Sequence, residues 1–139
     1  MSYLTFPNVL RSAVIALSGA VFAMTPSEPS LARRSDLAGS WRGAGTIVLP
    51  SGASEEARCR ARFRPNGDGS FSMSALCATP SQRAAQVALI EPVGSNRYAG
   101  SIFNDEYNYT GEIFLTVRGD RLSASLSGGQ VSGRISMRR

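Results

Sequence analysis

The sequence predicts an all-β chain: a small eight-stranded antiparallel up-and-down barrel with one cross-strand disulfide, preceded by a cleaved N-terminal signal peptide. Three observations carry that reading. Apolar residues alternate with polar or small ones through most of the stretch from Gly39 to Met137. Turn chemistry recurs at short intervals along it. Folding the chain about those turns gives hairpins that keep one apolar-or-small face and one mostly polar face.

The chain begins with export features. Arg11 supplies a positive flank, Ser12–Met24 is a short apolar run, and two small-x-small cleavage sites follow, Val21-Phe22-Ala23 and Ser30-Leu31-Ala32. The run falls short of the roughly 20 residues a spanning helix needs, so a signal peptide is favoured over a retained anchor. The expected organisation is residues 1–32 signal peptide, 33–38 N-terminal arm and 39–139 barrel, with cleavage after Ala23 as the other option. Cleavage after Ala32 removes Arg11 and Glu28 together, so the formal net charge of +5 is unchanged. No later segment is expected to cross a membrane as a helix. The expected location is periplasmic or secreted, where a disulfide persists.

The strands are punctuated by Pro50-Ser51-Gly52, Pro65-Asn66-Gly67-Asp68-Gly69, Gly94-Ser95-Asn96, Asn104-Asp105-Glu106, Gly119-Asp120 and Gly128-Gly129. Only Pro80–Ala88 also suits a helix. Folding about Gly52 sets Trp41 opposite Phe63, Gly43 opposite Ala61, Gly45 opposite Cys59 and Ile47 opposite Ala57. Folding about Asp68 sets Cys59 opposite Cys77, Ala61 opposite Ala75 and Phe63 opposite Met73. The Gly119-Asp120 turn pairs Val117 with Leu122, Leu115 with Ala124 and Ile113 with Leu126. The Gly128-Gly129 turn pairs Leu126 with Val131 and Leu122 with Ile135. Cys59 and Cys77 therefore meet on neighbouring strands as a structural disulfide, with Gly45 leaving room for the sulfurs. Redox-active thiols are the other reading, and the chain lacks a Cys-x-x-Cys motif. A meander with one buried face must be covered, and closure into a barrel removes both edges. A two-sheet sandwich is the competing architecture.

The expected interior holds Trp41, Ile47, Phe63, Met73, Ile113, Leu115, Val117, Leu122, Leu126, Val131 and Ile135. Small residues relieve it, among them Gly43, Gly45, Ala57, Ala61, Ala75, Ala124 and Gly133. Eight strands enclose space that side chains can fill, or that can hold one small ligand. A filled core with Trp41 as a plug is the expectation.

Composition narrows the chemistry. The 139 residues include no histidine, which removes the usual general base and the commonest metal ligand. All 15 basic residues are arginine, so every side-chain cation is permanent and fork-shaped. No phosphate-cradling glycine loop opens a helix, and no Cys, Asp or Glu set has metal spacing. No catalytic residue, metal or cofactor is expected, and the chain reads as a non-enzyme.

Arg58, Arg60, Arg62 and Arg64 occupy every second position, so a strand points all four the same way, about 7 Å apart. The expected register adds Arg42 beside Arg62. Such a row lies within a Debye length of itself, and multivalent anions relieve its repulsion with bidentate contacts. A face kept charged for solubility is the plainer reading. A second candidate is a barrel-mouth loop, Asp105, Glu106, Tyr107 and Tyr109 with Tyr98 from the preceding strand, suited to a protein or ligand contact. Arg118-Gly119-Asp120 spells an adhesion tripeptide, but Gly-Asp there equally makes a hairpin turn.

Gly39-Ser40-Trp41 at the start of the first strand, with Arg134 and Arg138 in the last, resembles the calycin pattern of lipocalins, avidins and bacterial metalloprotease inhibitors. The resemblance implies that the tryptophan packs under an arginine from the final strand, which gives Gly39, Trp41 and Arg134 structural roles. Leu37–Arg139 also resembles a group of small exported bacterial β-barrel proteins of unassigned function. That likeness lies in Ser40–Ile47, Glu56–Arg60 and Leu76–Ser81 and implies export without a known chemistry. Leu37–Trp41 and the cysteine pair are similar to the metalloprotease inhibitors, periplasmic barrels whose N-terminal arm enters the protease cleft. Two arginines, Arg33 and Arg34, depart from that family's small or apolar arm.

The expected function is binding of an anionic lipid or polysaccharide of the cell envelope through the arginine face. The alternative is inhibition of a secreted protease through the arm at Arg33–Asp36. No nucleic-acid partner is expected.

Overall fold

The structure, a computed structural model, describes residues 37–139; the expected signal peptide and residues 33–36 of the arm lie outside the described residues. Eight strands follow in order: β1 Gly39–Val48, β2 Ser54–Pro65, β3 Phe71–Ala78, β4 Arg83–Gly94, β5 Arg97–Asn104, β6 Tyr109–Arg118, β7 Arg121–Ser127 and β8 Ser132–Arg138. Each pairs antiparallel with the next, and β8 pairs with β1, closing one barrel rather than a sandwich. Pro80–Ala88 is not a helix, since β4 begins inside it at Arg83.

Two expected registers hold. On β2–β3, Cys59 faces Cys77, Ala61 faces Ala75 and Phe63 faces Met73. On β6–β7, Val117 faces Leu122, Leu115 faces Ala124 and Ile113 faces Leu126. The other two are displaced by two residues. Trp41 faces Ala61, Gly43 faces Cys59, Gly45 faces Ala57 and Ile47 faces Glu55. Leu122 faces Met137, Ala124 faces Ile135 and Leu126 faces Gly133. A two-residue slip leaves every side chain on its own face, so alternation cannot detect it. Turn hydrogen bonds decide instead. Gly52 N–H donates to the Leu49 carbonyl at 2.8 Å and Leu49 N–H to the Ala53 carbonyl at 2.9 Å, which moves the fold point back from Gly52. In the β7–β8 connection Gly128 and Gly129 are both left-handed, at φ 77° and 67°. A Cβ on Gly129 would collide with the Thr110 carbonyl of β6, so this turn packs on β6 and runs on through Val131, which is half-buried and lies outside the strands.

The disulfide joins Cys59 to Cys77 across an 18-residue separation and is worth about 3 kcal/mol by loop closure. Gly43, not Gly45, stands opposite Cys59. The two glycines serve the β1–β8 seam, because a Cβ at either would overlap a β8 backbone carbonyl, Ser136 for Gly43 and Arg134 for Gly45. No other residue lets those backbones approach so closely.

The interior holds the expected residues together with Leu37, Phe71, Ile90, Tyr98, Ile102 and Met137. β4 takes its orientation from β3. Phe71 and Met73 on β3 fix its inward set as Ile90 and Ala88, which turns Gln86 inward and leaves Val87 and Leu89 exposed.

Candidate functional site

The outward side of β2 carries Arg58, Arg60, Arg62 and Arg64, all exposed, as the two-residue period requires. Glu56 makes a 3.6 Å ion pair with Arg58. The observed register sets Arg42 opposite Arg60 rather than Arg62. That correction exposes a second alignment. Arg42 also faces Arg138 on β8, Arg138 faces Arg121 on β7, and Arg121 faces Arg118 on β6. One unbroken row, Arg118–Arg121–Arg138–Arg42–Arg60, thus crosses five neighbouring strands and meets the β2 column at Arg60. All five side chains are exposed, and among the described residues none reaches a carboxylate. Like charges directly opposite on a sheet repel, so each contact in the row is unfavourable unless an anion lies across it.

A parallel row of hydroxyls flanks the charges: Thr116 faces Ser123, and Ser123 faces Ser136. Arg118, Arg121 and Arg138 line a surface groove of about 510 Å³ together with Thr116, Ser123 and Ser136. Most of the large apolar side chains that reach solvent, Leu76, Val87, Leu89, Val93 and Phe103, stand on β3, β4 and β5, while Phe114 is exposed on β6 and Tyr107 in the β5–β6 turn.

The expected mouth loop is only partly assembled. Asp105 and Glu106 are exposed in the β5–β6 turn, and the Tyr107 hydroxyl donates to the Arg83 carbonyl at 3.1 Å. Tyr109 is half-buried, and its oxygen accepts a 2.6 Å bond from the Gln86 side-chain amide. Burial pushes its phenol pKa above the ordinary value of 10.0. Tyr98 does not join them. It starts β5 at the opposite end of the barrel, is buried, and makes an edge-on contact with Phe71 at 5.8 Å. Two polar residues organise this mouth, Asn104, which the sequence places in the turn, and Gln86, which sequence reading missed. Both are buried, and Asn104 bonds the Ala85 carbonyl at 2.8 Å and accepts from Tyr107 N–H at 2.8 Å. A lone Gln in an ambiguous strand gives no signal until the register is known.

At the other end, Gly39 adopts φ 116°, a conformation that L residues rarely take, and the chain then turns Trp41 inward. Trp41 is fully buried, and its indole N–H donates to the Leu37 carbonyl at 2.9 Å. The arginine over it is Arg139, 4.4 Å from the ring centroid, and neither Arg134 nor Arg138. Arg134 is exposed between Thr46 and Ser125. Its even position on β8 places it on the outer face with Arg138, whereas Arg139 follows the strand and can fold back over the barrel end.

The interior has little room for a ligand. The free space beside the disulfide, between Ile47, Met73, Gln86 and Leu126, is about 20 Å³. That is enough for one water at most. Among the described residues, no cluster of His, Cys, Asp or Glu is arranged to hold a metal, and no helix is long and apolar enough to cross a membrane.

No protein-family model matches the chain, and no curated protein matches it. Among solved structures it resembles a redesigned β-barrel bound to the ligand DFHBI. That match has a TM-score of 0.60 and 12% identity, and covers 74% of this chain and 94% of the other. It also resembles a de novo designed fluorescence-activating β-barrel, with a TM-score of 0.54 and 18% identity, covering 73% of this chain and 92% of that one. At such identities the likeness defines a class, small closed eight-stranded β-barrels, and nothing finer. The Cys59–Cys77 bond is consistent with an oxidising compartment.

Proposed function

We propose that the protein is an exported, non-catalytic barrel that binds anionic components of the cell envelope through its outer arginine face. The observation that carries this reading is the intersection at Arg60 of the β2 column with the row through Arg42, Arg138, Arg121 and Arg118. Apart from Arg58, which pairs with Glu56, these permanent cations stand side by side without a carboxylate partner and repel one another, and a multivalent anion converts that repulsion into charge-assisted hydrogen bonds. The nearly filled interior supports it from the other side, since a ligand larger than water finds its room outside the wall.

Binding of the full-length secreted protein to dextran sulfate beads at low salt tests the reading. Retention should fall steeply as salt is raised, because the Debye length shrinks from about 10 Å at 0.1 M to about 3 Å at 1 M. The variant R42S/R58S/R60S/R62S/R64S should elute at markedly lower salt with an unchanged circular dichroism spectrum. Wild-type protein that fails to bind, or a variant that binds equally well, overturns the proposal.

A further inference from the structure

Resting on that anion-binding reading, we infer that the row Arg118–Arg121–Arg138–Arg42–Arg60 is a track for a flexible linear polyanion rich in hydroxyl groups, an acidic polysaccharide, lying across the strands. Three features of the row select this class.

The first is spacing. Neighbouring strands lie about 4.8 Å apart, so the row presents one guanidinium per strand over a length of about 19 Å. A chain with one carboxylate per sugar offers charges at a comparable repeat, and each fork can take one carboxylate with paired hydrogen bonds.

Curvature is the second. The row crosses five of the eight strands of a closed wall, so it winds obliquely around about half of the barrel. A flat bilayer can touch only adjacent strands on one side of so narrow a cylinder. A flexible chain can follow the whole row.

The third is what stands beside the charges. Thr116, Ser123 and Ser136 run parallel to Arg118, Arg121 and Arg138 in the same groove, supplying hydroxyl donors and acceptors where a sugar ring would sit. Among the described residues a single exposed aromatic ring stands on the strands of the row, Phe114 on β6, four residues from Arg118, so the charges lack the series of stacking platforms on which single-strand binders depend. Most of the exposed apolar side chains that would favour a lipid surface stand on β3, β4 and β5 instead, with Phe114 on β6 the one exception on the strands of the row.

The test compares two variants that remove the same amount of charge. R118S/R121S/R138S breaks the row and leaves the β2 column, while R58S/R62S/R64S removes the column and leaves the row. The probe is a set of oligogalacturonates of graded length, with galacturonate monomer, phosphatidylglycerol vesicles and oligothymidylate as comparisons. Affinity should climb with oligomer length until the chain spans the row and then level off. The row variant should lose at least about tenfold in affinity for the long oligomer, against less than about threefold for the column variant, since losing paired charge-assisted contacts outweighs losing diffuse attraction. Equal losses, or a larger loss in the column variant, overturn the track while leaving the arginine face as an anion binder. Tighter binding to vesicles or to oligothymidylate than to the oligogalacturonates overturns the polysaccharide assignment. If no anion binds even at low salt, the track and the broader reading both fail. R138Q, at the centre of the row, repeats the comparison with a single exposed change should the triple variant misfold.

Discussion

The two ends of the barrel are closed by different means. At the end where β1 begins, large apolar side chains fill the opening: Trp41, Leu37, Phe63, Phe71 and Tyr98 are all buried, and Arg139 lies over the tryptophan. At the opposite end small inward residues, such as Ala57, Ala84 and Gly45, are interspersed with Ile47, Ile113 and Leu126, and among the described residues no aromatic plug is fully buried there. The work of closure passes there to the Cys59–Cys77 bond, the Gln86–Tyr109 hydrogen bond and Asn104. One end is held by volume and the other by covalent and directional bonds. The difference teaches that a short chain can close a barrel without packing both ends equally, provided that cross-links replace missing side-chain volume.

The largest predicted effect falls on the packed end. Trp41→Ala removes the biggest fully buried side chain and should cost about 3–5 kcal/mol, read as a lower urea midpoint with an unchanged slope. Next comes the stapled end, where C59A/C77A should cost about 3 kcal/mol by loop closure. Hydrogen exchange sharpens the contrast: the cysteine variant should lose protection first around Cys59 and Cys77 on β2 and β3, leaving the amides near Trp41 slower. Uniform loss would show that the ends are one cooperative unit.

A smaller effect is expected at the mouth. Tyr109→Phe leaves the buried Gln86 amide without its acceptor and should cost about 1–3 kcal/mol, much of it recovered in Q86L/Y109F. The titration has a definite sign. Burial raises the Tyr109 pKa, so its neutral form favours folding below the ordinary value of 10.0, and that contribution is lost as pH rises through the raised value. A thermal melt series above pH 10 should therefore show part of the alkaline destabilisation missing in the phenylalanine variant.

Faces and neighbours were not equally legible in the sequence. Alternation alone placed Cys59, Ala61 and Phe63 inside, and Arg58, Arg60, Arg62 and Arg64 outside, because burial depends only on the parity of a position along its strand. Who stands beside whom depends on the fold point of each turn, and two of these were off by two residues. The slip cost nothing for the core, since it moved no side chain to the other face. It hid the arginine row completely. With Leu122 opposite Ile135, Arg121 sits across from Ser136, and with Trp41 opposite Phe63, Arg42 sits across from Arg62. Only the observed pairs, Arg121 with Arg138 and Arg42 with Arg60, join the cations into a line. A fold can be read from faces, whereas a surface site is made of neighbours.

The finest distinction between the ends concerns the cap over Trp41. Arg139 holds its guanidinium 4.4 Å from the ring centroid, while its Nη1 and Nη2 groups donate to the Ala38 and Gly119 carbonyls at 3.3 Å each. It ties the entry to β1 to the β6–β7 turn across the face of the plug. Arg139→Met keeps an apolar stem over the ring and removes the cation and its donors, whereas Arg139→Ala removes the cover as well. A cation over a tryptophan at an exposed site contributes about 0.5–1 kcal/mol, so the methionine variant should lose about that much and the alanine variant somewhat more. Tryptophan fluorescence reports the plug alone, because Trp41 is the single tryptophan of the chain. A red shift in the alanine variant, with the methionine variant staying close to wild type, would mean that the stem keeps water from the ring and that the charge chiefly tethers the two segments. Equal shifts in both would assign the shielding to the guanidinium itself, and no shift in either would show that volume closes this end without help.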